Sequence, residues 1–161
     1  MFAARPDQKV LGYLGRALTL ELSAVQQYST QARLVASWGL SEAAASFRKE
    51  ATEELQHADR IIERMLALGA APAGSQLRPV SLAPDLSALL QINQKFEAEV
   101  VRMYQSAAGH CAGTGDHDGR VFFEELLREE QAHHAELGAW LDRLQQVPEQ
   151  RMRGSRNLRM A

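Results

Sequence analysis

Two short strings in the chain have one shape, Glu54-Leu55-Gln56-His57 and Glu130-Gln131-Ala132-His133. Each has another glutamate 33 residues upstream, Glu21 before Glu54 and Glu97 before Glu130, and the two sets are offset by 76 residues. On an α-helix, residues i and i+3 share a face, so each string offers a carboxylate and an imidazole side by side. Four carboxylates and two imidazoles that converge inside a helix bundle make a site for two metal ions.

The apolar pattern is helical throughout. Leu11, Leu14, Leu18, Val25, Tyr28, Ala32 and Val35 recur at steps of three and four, which predicts a helix from Asp7, an N-cap behind Pro6, to Gly39. The position missing from that stripe is Glu21. Ser41 is expected to cap a second helix that Gly69 stops, with Phe47, Ala51, Glu54, Ala58, Ile61, Met65 and Leu68 on one stripe. A third helix starts near Asp85 and carries Leu86, Leu90, Asn93, Glu97, Val100, Tyr104 and Ala107, with Gly113, Gly115 and Gly119 expected to break the chain after it. The fourth begins near Asp116 or Asp118, carries Phe123, Leu127, Glu130, Leu137, Leu141 and Leu144, and ends at Pro148. Pro72, Gly74, Pro79 and Pro84 keep residues 70–84 out of any helix.

Loop lengths choose the topology. Short links at 39–41 and 113–118 make two antiparallel hairpins. The link over 70–84 can stretch up to ~50 Å, and a helix of some 28 residues is ~42 Å long. The link can therefore cross the whole bundle and leave the second and third helices parallel. The expectation is an all-α four-helix bundle over residues 1–147, two antiparallel hairpins joined by a long crossover, followed by a basic tail over 148–161.

Glu42, Glu50, Glu63 and Glu136 read as ordinary solvated glutamates. Glu21, Glu54, Glu97 and Glu130 do not, because each stands on the apolar stripe of its own helix. A buried carboxylate without a partner costs several kcal/mol or takes up a proton. No Lys or Arg occupies those stripes. Two divalent cations would offset four carboxylates, with neutral imidazoles as further ligands. Oxygen-rich ligation points to iron or manganese before copper, with zinc able to intrude.

Bulk composition removes other classes. A net charge of −2 gives no general pull toward nucleic acid or a membrane surface. Cys111 is the only cysteine, so a disulfide framework and a Cys-rich zinc or iron–sulfur site are excluded within the chain. A reducing, cytoplasmic setting follows as the expectation. Residues 1–11 contain no apolar run of signal-peptide length, and no apolar stretch approaches the ~20 residues of a spanning helix.

The ligand pattern, together with Leu22-Ser-Ala-Val-Gln-Gln-Tyr28, Trp38-Gly39-Leu40 and His57-Ala58-Asp59-Arg60, resembles the ferritin-like di-iron carboxylate proteins over residues 7–147, and most closely the bacterioferritins. The resemblance implies Glu21 and His57 as terminal ligands of one iron, Glu97 and His133 as terminal ligands of the other, and Glu54 and Glu130 as bridges. It implies an iron-storage ferroxidase: Fe(II) binds, dioxygen or hydrogen peroxide takes the electrons, and Fe(III) collects as mineral inside a hollow 24-subunit shell. Tyr28 lies seven residues after Glu21, and Tyr104 seven after Glu97. Either can donate a hydrogen bond to a ligand or supply an electron; for Tyr104, core packing with a satisfied hydroxyl is the expectation.

The chain departs from the family at three places. Bacterioferritins usually bind haem between subunits through a methionine directly after the first motif glutamate; here that residue is Leu55, which has no lone pair for iron. A homopolymer is expected to lack haem, and Leu55 motivates a second arrangement, a heteropolymer with a haem-binding bacterioferritin subunit. Lys49 stands where some relatives carry a histidine of an extra cavity-surface iron site, and a lysine repels cations. The tail from Pro148 to Ala161 holds four arginines against one glutamate and makes a poor buried helix, where the family has a short apolar fifth one. His110 and His117, with Cys111, Asp116 and Asp118, form a polar group at the last turn that either serves the turn or guides iron; His134 reads as a neighbouring or surface residue.

Two other readings compete. One is a soluble di-iron oxygenase or peroxidase on the same bundle; the other is a non-catalytic shell subunit partnering a haem-binding sister. Intact ligands argue against the second.

Overall fold

The computed structural model describes residues 6–146; the tail over 148–161, Pro148 included, lies outside the described residues. Four helices account for the bundle: α1 (Gln8–Ser37), α2 (Ser41–Ala67), α3 (Leu86–Thr114) and α4 (His117–Gln145). Close backbone approaches join α1 to α2, α3 to α4, and α1 to α3. The hairpin–crossover–hairpin order expected from loop length is the order observed.

Polar caps set the helix starts. Asp7 accepts from the backbone N–H of Lys9, Asp85 from that of Ala88 and Asp116 from that of Gly119, each satisfying a donor that has no partner within the helix. Ser41 departs from its expected role: it is the first helical residue, and Leu40 stands at the cap with no side-chain hydrogen bond. The turn there is closed from the other side, by Gly39 at φ 80° and by a backbone hydrogen bond from Leu40 N to Val35 O.

Among the three glycines expected to break the chain after α3, Gly115 alone does so, with φ 75°. Gly113 lies inside α3 and Gly119 in the first turn of α4. A Cβ on Gly119 would stand 2.2 Å from Asp116 Oδ2 and 2.9 Å from Cys111 Sγ. Glycine there allows Asp116 to fold back as a cap over the buried Cys111.

The core residues follow the sequence stripes closely, with Leu11, Val25, Leu68, Leu86, Leu127 and Leu144 only partly buried. The core is not continuous. One apolar cluster gathers Val10, Leu14, Ile61, Tyr104, Phe123 and neighbours at the α1-start end. A second gathers Tyr28, Val35, Phe47, Leu89, Leu141 and neighbours at the other end. Between them lies a layer of buried charged and polar side chains near the middle of every helix.

The crossover is held by side chains from one face of α1. Ser23 Oγ accepts from Arg78 N at 3.0 Å, Gln27 Oε1 accepts from Ser81 N at 3.2 Å, and Gln31 Nε2 donates to Ser81 O at 3.1 Å. Gln27 and Gln31 also bond the buried Asn93 of α3, at 2.9 and 2.6 Å. The spacing 23, 27, 31 is one helical row, so a single stripe of α1 fixes both the crossover and the register of α3. Asn93, read on the apolar stripe of α3, is buried because these amides complete its hydrogen bonds.

Gly119→Ala is expected to displace the Asp116 cap and lower stability by about 1–2 kcal/mol, read as an earlier urea unfolding midpoint. Gly113→Ala, in an open helical position, should raise stability by up to ~1 kcal/mol and move that midpoint later.

Candidate metal centre

Each helix delivers its motif residue near mid-length, so the four glutamates meet at one level. Glu21, Glu54, Glu97, Glu130 and His57 are all 2% exposed or less, and His133 is 8% exposed. Glu21, Glu54, His57 and Glu130 each present one ligand atom so that all four atoms lie within 4.8 Å of one another. These are the residues that the family resemblance implies for one metal and its two bridges.

The histidines face each other across α2 and α4, with ring centroids 5.8 Å apart and planes inclined by 22°. Both turn Nδ1 inward. His57 Nδ1 is 3.0 Å from Glu54 Oε2, 2.7 Å from Glu130 Oε1 and 3.7 Å from Glu21 Oε2. His133 Nδ1 is 3.2 Å from Glu54 Oε1 and 3.7 Å from Glu130 Oε2. The second half is less symmetric than the sequence suggests. His133 also groups with Glu50 and Glu53 within 4.8 Å, while Glu97 meets the layer through Glu130 and Tyr28.

The tyrosines cross over. Tyr28 of α1 donates to Glu97 Oε1 of α3 at 2.6 Å, and Tyr104 of α3 donates to Glu21 Oε1 of α1 by a short hydrogen bond. Each tyrosine therefore serves the glutamate of the opposite helix and not the one on its own stripe. For Tyr104 this corrects the expectation of plain core packing: its hydroxyl is satisfied by a site carboxylate.

The charge distribution shows what such a layer demands. Burial pushes Glu21 and Glu97 well above the usual carboxylate range, and the neighbouring Glu130 and Glu54 push them further. Glu54 goes the other way: burial raises it, but close contacts with His133 and His57 outweigh burial and hold it well below the usual range. Burial opposes charge on the imidazoles too, yet the close carboxylates of Glu130, Glu21 and Glu54 raise His57 far above an ordinary histidine, and Glu130 and Glu54 push His133 up to about 11. Protons thus neutralise the cage in the protein alone.

They do so incompletely. Glu21 Oε2, Glu54 Oε1, both oxygens of Glu130 and His133 Nδ1 are buried without an aligned hydrogen-bond partner. Buried polar atoms are rarely left so. Five such atoms, four of them carboxylate oxygens, converge on one volume and fit hard divalent cations. A cavity of ≈ 260 Å³ between α2 and α4 reaches this layer, lined by Lys49, Glu53, Gln56, Glu129, Glu136 and both histidines.

Outside the layer, Leu55 points away from the bundle and is 54% exposed. Lys49 is exposed and pairs with Glu53 at 3.0 Å. The last turn is explained by local contacts: His110 Nε2 bonds Asp7 Oδ2 at 2.7 Å, Asp116 caps α4 and Cys111 is buried, while His117 is exposed and His134 partly buried. These residues do not gather as a group around one point. Sequence reasoning missed Glu53 and Glu129, each of which stands beside a motif glutamate and contacts the outer nitrogen of a site histidine. The doubled Glu-Glu-x-x-His spelling was the available signal.

The ferritin-like domain model matches residues 11–147. Bacterioferritin of Rhodobacter capsulatus is 35% identical over 127 residues, 79% of either chain. Bacterioferritin of Brucella melitensis is 32% identical over 145 residues, 90% of either chain. The crystal structure of the Rhodobacter capsulatus bacterioferritin, which has a metal-free dinuclear site and haem iron, superposes with a TM-score of 0.87 at 32% identity, covering 91% of this chain and 92% of that one. On the match of the ferritin-like domain model and the identity to these relatives along most of its length, the chain belongs to the ferritin-like proteins and, among them, to the bacterioferritins.

Proposed function

We propose that this chain is an iron-storage subunit whose own bundle holds the oxidation site, with Glu21, Glu54, His57, Glu97, Glu130 and His133 as its ligands. Iron storage and ferroxidase activity belong to the family. The observation that carries the site is the set of buried, unpartnered oxygens on Glu21, Glu54 and Glu130 facing the imidazoles.

Fe(II) is the substrate. Two Fe(II) ions per subunit would bind side by side, held between them by Glu54 and Glu130 and at the ends by Glu21 with His57 and Glu97 with His133. Each ion gives up one electron, and the pair suffices to cleave the O–O bond of a peroxide; dioxygen is the other candidate acceptor. The residues act by holding charge and geometry. Tyr28 and Tyr104 donate to Glu97 and Glu21 and so keep one oxygen of each terminal carboxylate occupied, leaving the other to the site. The apolar clusters above and below exclude water along the bundle axis, so ions enter from the side, through the cleft between α2 and α4. The product Fe(III) passes to a shell built from copies of this subunit, 24 by family resemblance, or from this subunit and a haem-binding sister. No helix among the described residues is long and apolar enough to cross a membrane.

Leu55 bears on haem. Its exposed side chain carries no donor atom toward a neighbouring subunit, so the homopolymer is a ferroxidase shell without haem.

Glu54→Ala with Glu130→Ala should abolish the fast rise of Fe(III) absorbance on aerobic Fe(II) addition, with helical content retained; a rate equal to the unmodified protein would place the site elsewhere. Recombinant homopolymer is expected to show no Soret band after haem supplementation. A divalent cation must displace the protons held by His57 and His133 and by Glu21 and Glu97, whose affinity for them is raised. Zn(II) binding should therefore release protons and weaken as pH falls from 8 to 6, measured by calorimetry in two buffers of different ionisation enthalpy.

A further inference from the structure

The two metal-ligand strings are longer by one residue than Glu-x-x-His: they read Glu53-Glu54-Leu55-Gln56-His57 and Glu129-Glu130-Gln131-Ala132-His133. The added residue lies about 100° round the helix from the motif glutamate, at the margin of the core face. Because α2 and α4 run antiparallel, each added glutamate arrives beside the histidine of the other string. Glu129 Oε2 is 2.8 Å from His57 Nε2, and Glu53 Oε2 is 3.1 Å from His133 Nε2.

We infer that Glu129 and Glu53 are positioning residues, each orienting the site histidine of the opposite helix. The inference rests on the dinuclear reading above. An imidazole that donates Nε2–H outward to a carboxylate keeps its Nδ1 lone pair for the site, and the ring plane is fixed by the same bond. His57 has this geometry, with Nδ1 among Glu54 and Glu130 and Nε2 hydrogen-bonded to Glu129, and His133 repeats the placement, its Nε2 in charged contact with Glu53.

Each outer glutamate is held in turn by a cation, but differently. Arg60 Nη1 lies 2.9 and 3.0 Å from the two oxygens of Glu129, reaching from α2 to α4. Arg60 and His57 stand three apart on α2, so one turn of that helix grips Glu129 twice. Lys49 Nζ reaches Glu53 Oε1 at 3.0 Å within α2 itself. Lys49 is thus the counter-ion of Glu53. Glu129 takes its cation from the other helix and Glu53 from its own, so His57 is the more firmly held of the two.

Co(II) titration of the assembled protein, followed by visible absorption and calorimetry, tests this. The unmodified protein should take up two Co(II) per subunit. Glu129→Ala should weaken one of the two by roughly 10–100-fold and alter its d–d bands, and Glu129→Gln, which keeps an acceptor oxygen, should recover most of the loss. Glu129→Ala should be non-additive with His57→Ala and additive with His133→Ala. Glu53→Ala gives the mirror cycle, with a smaller loss that couples to His133, and stands in if Glu129→Ala does not assemble. Failure of the unmodified protein to bind Co(II) would overturn the dinuclear reading. Normal binding of two Co(II) by Glu129→Ala and Glu53→Ala, or coupling of either to the histidine of its own string, would overturn the positioning role alone.

Discussion

Placing four carboxylates in one layer of an apolar bundle is the condition on which the remaining architecture turns. An isolated buried carboxylate costs several kcal/mol, and like charges at close range add to that cost. The protein meets the condition with protons on imidazoles and carboxyls, with two tyrosine hydroxyls and with volume suited to cations. The layer also divides the hydrophobic core into two clusters. Apolar burial on both sides of the layer holds the helices while the layer itself opposes folding. Stability and function thus occupy alternating levels along one axis.

Pseudo-twofold symmetry distributes the support. Each hairpin contributes one Glu and one Glu-x-x-His, and each also contributes a tyrosine to the glutamate of the other hairpin. The outer glutamates repeat this exchange between α2 and α4. Exchanges of this kind tie the halves together where backbones are far apart, since α2 and α4 are not among the closely approaching pairs. The symmetry is broken by what lies behind: Arg60 spans helices to reach Glu129, while Glu50, Glu53 and Lys49 crowd the side of His133.

Much of this was legible because helical periodicity is local. A stripe at steps of three and four specifies its own face, so Glu21, Glu54, Glu97 and Glu130 declared themselves core residues without reference to any partner. Proline and glycine placed the crossover for the same reason. What escaped was contact across helices. Tyr28 and Tyr104 were placed on the right faces, but which glutamate each would meet depends on the relative height of α1 and α3, and that is set by Gln27, Gln31 and Asn93. Gly119 resembled a breaker because its real constraint, the approach of Asp116 and Cys111, is a three-dimensional one. Ser41 resembled a cap because Ser is a common one, although a neighbouring glycine had already closed the turn.

The number of helices, their order and the inward residue of each were readable from the chain alone, because these follow from side-chain spacing within single elements. The tertiary structure decided how those residues were paired: Tyr104 with Glu21, Tyr28 with Glu97, Glu129 with His57 and Glu53 with His133. Pairing depends on helix register and on which antiparallel neighbour presents its edge, quantities set by packing of the whole bundle and absent from any one helix.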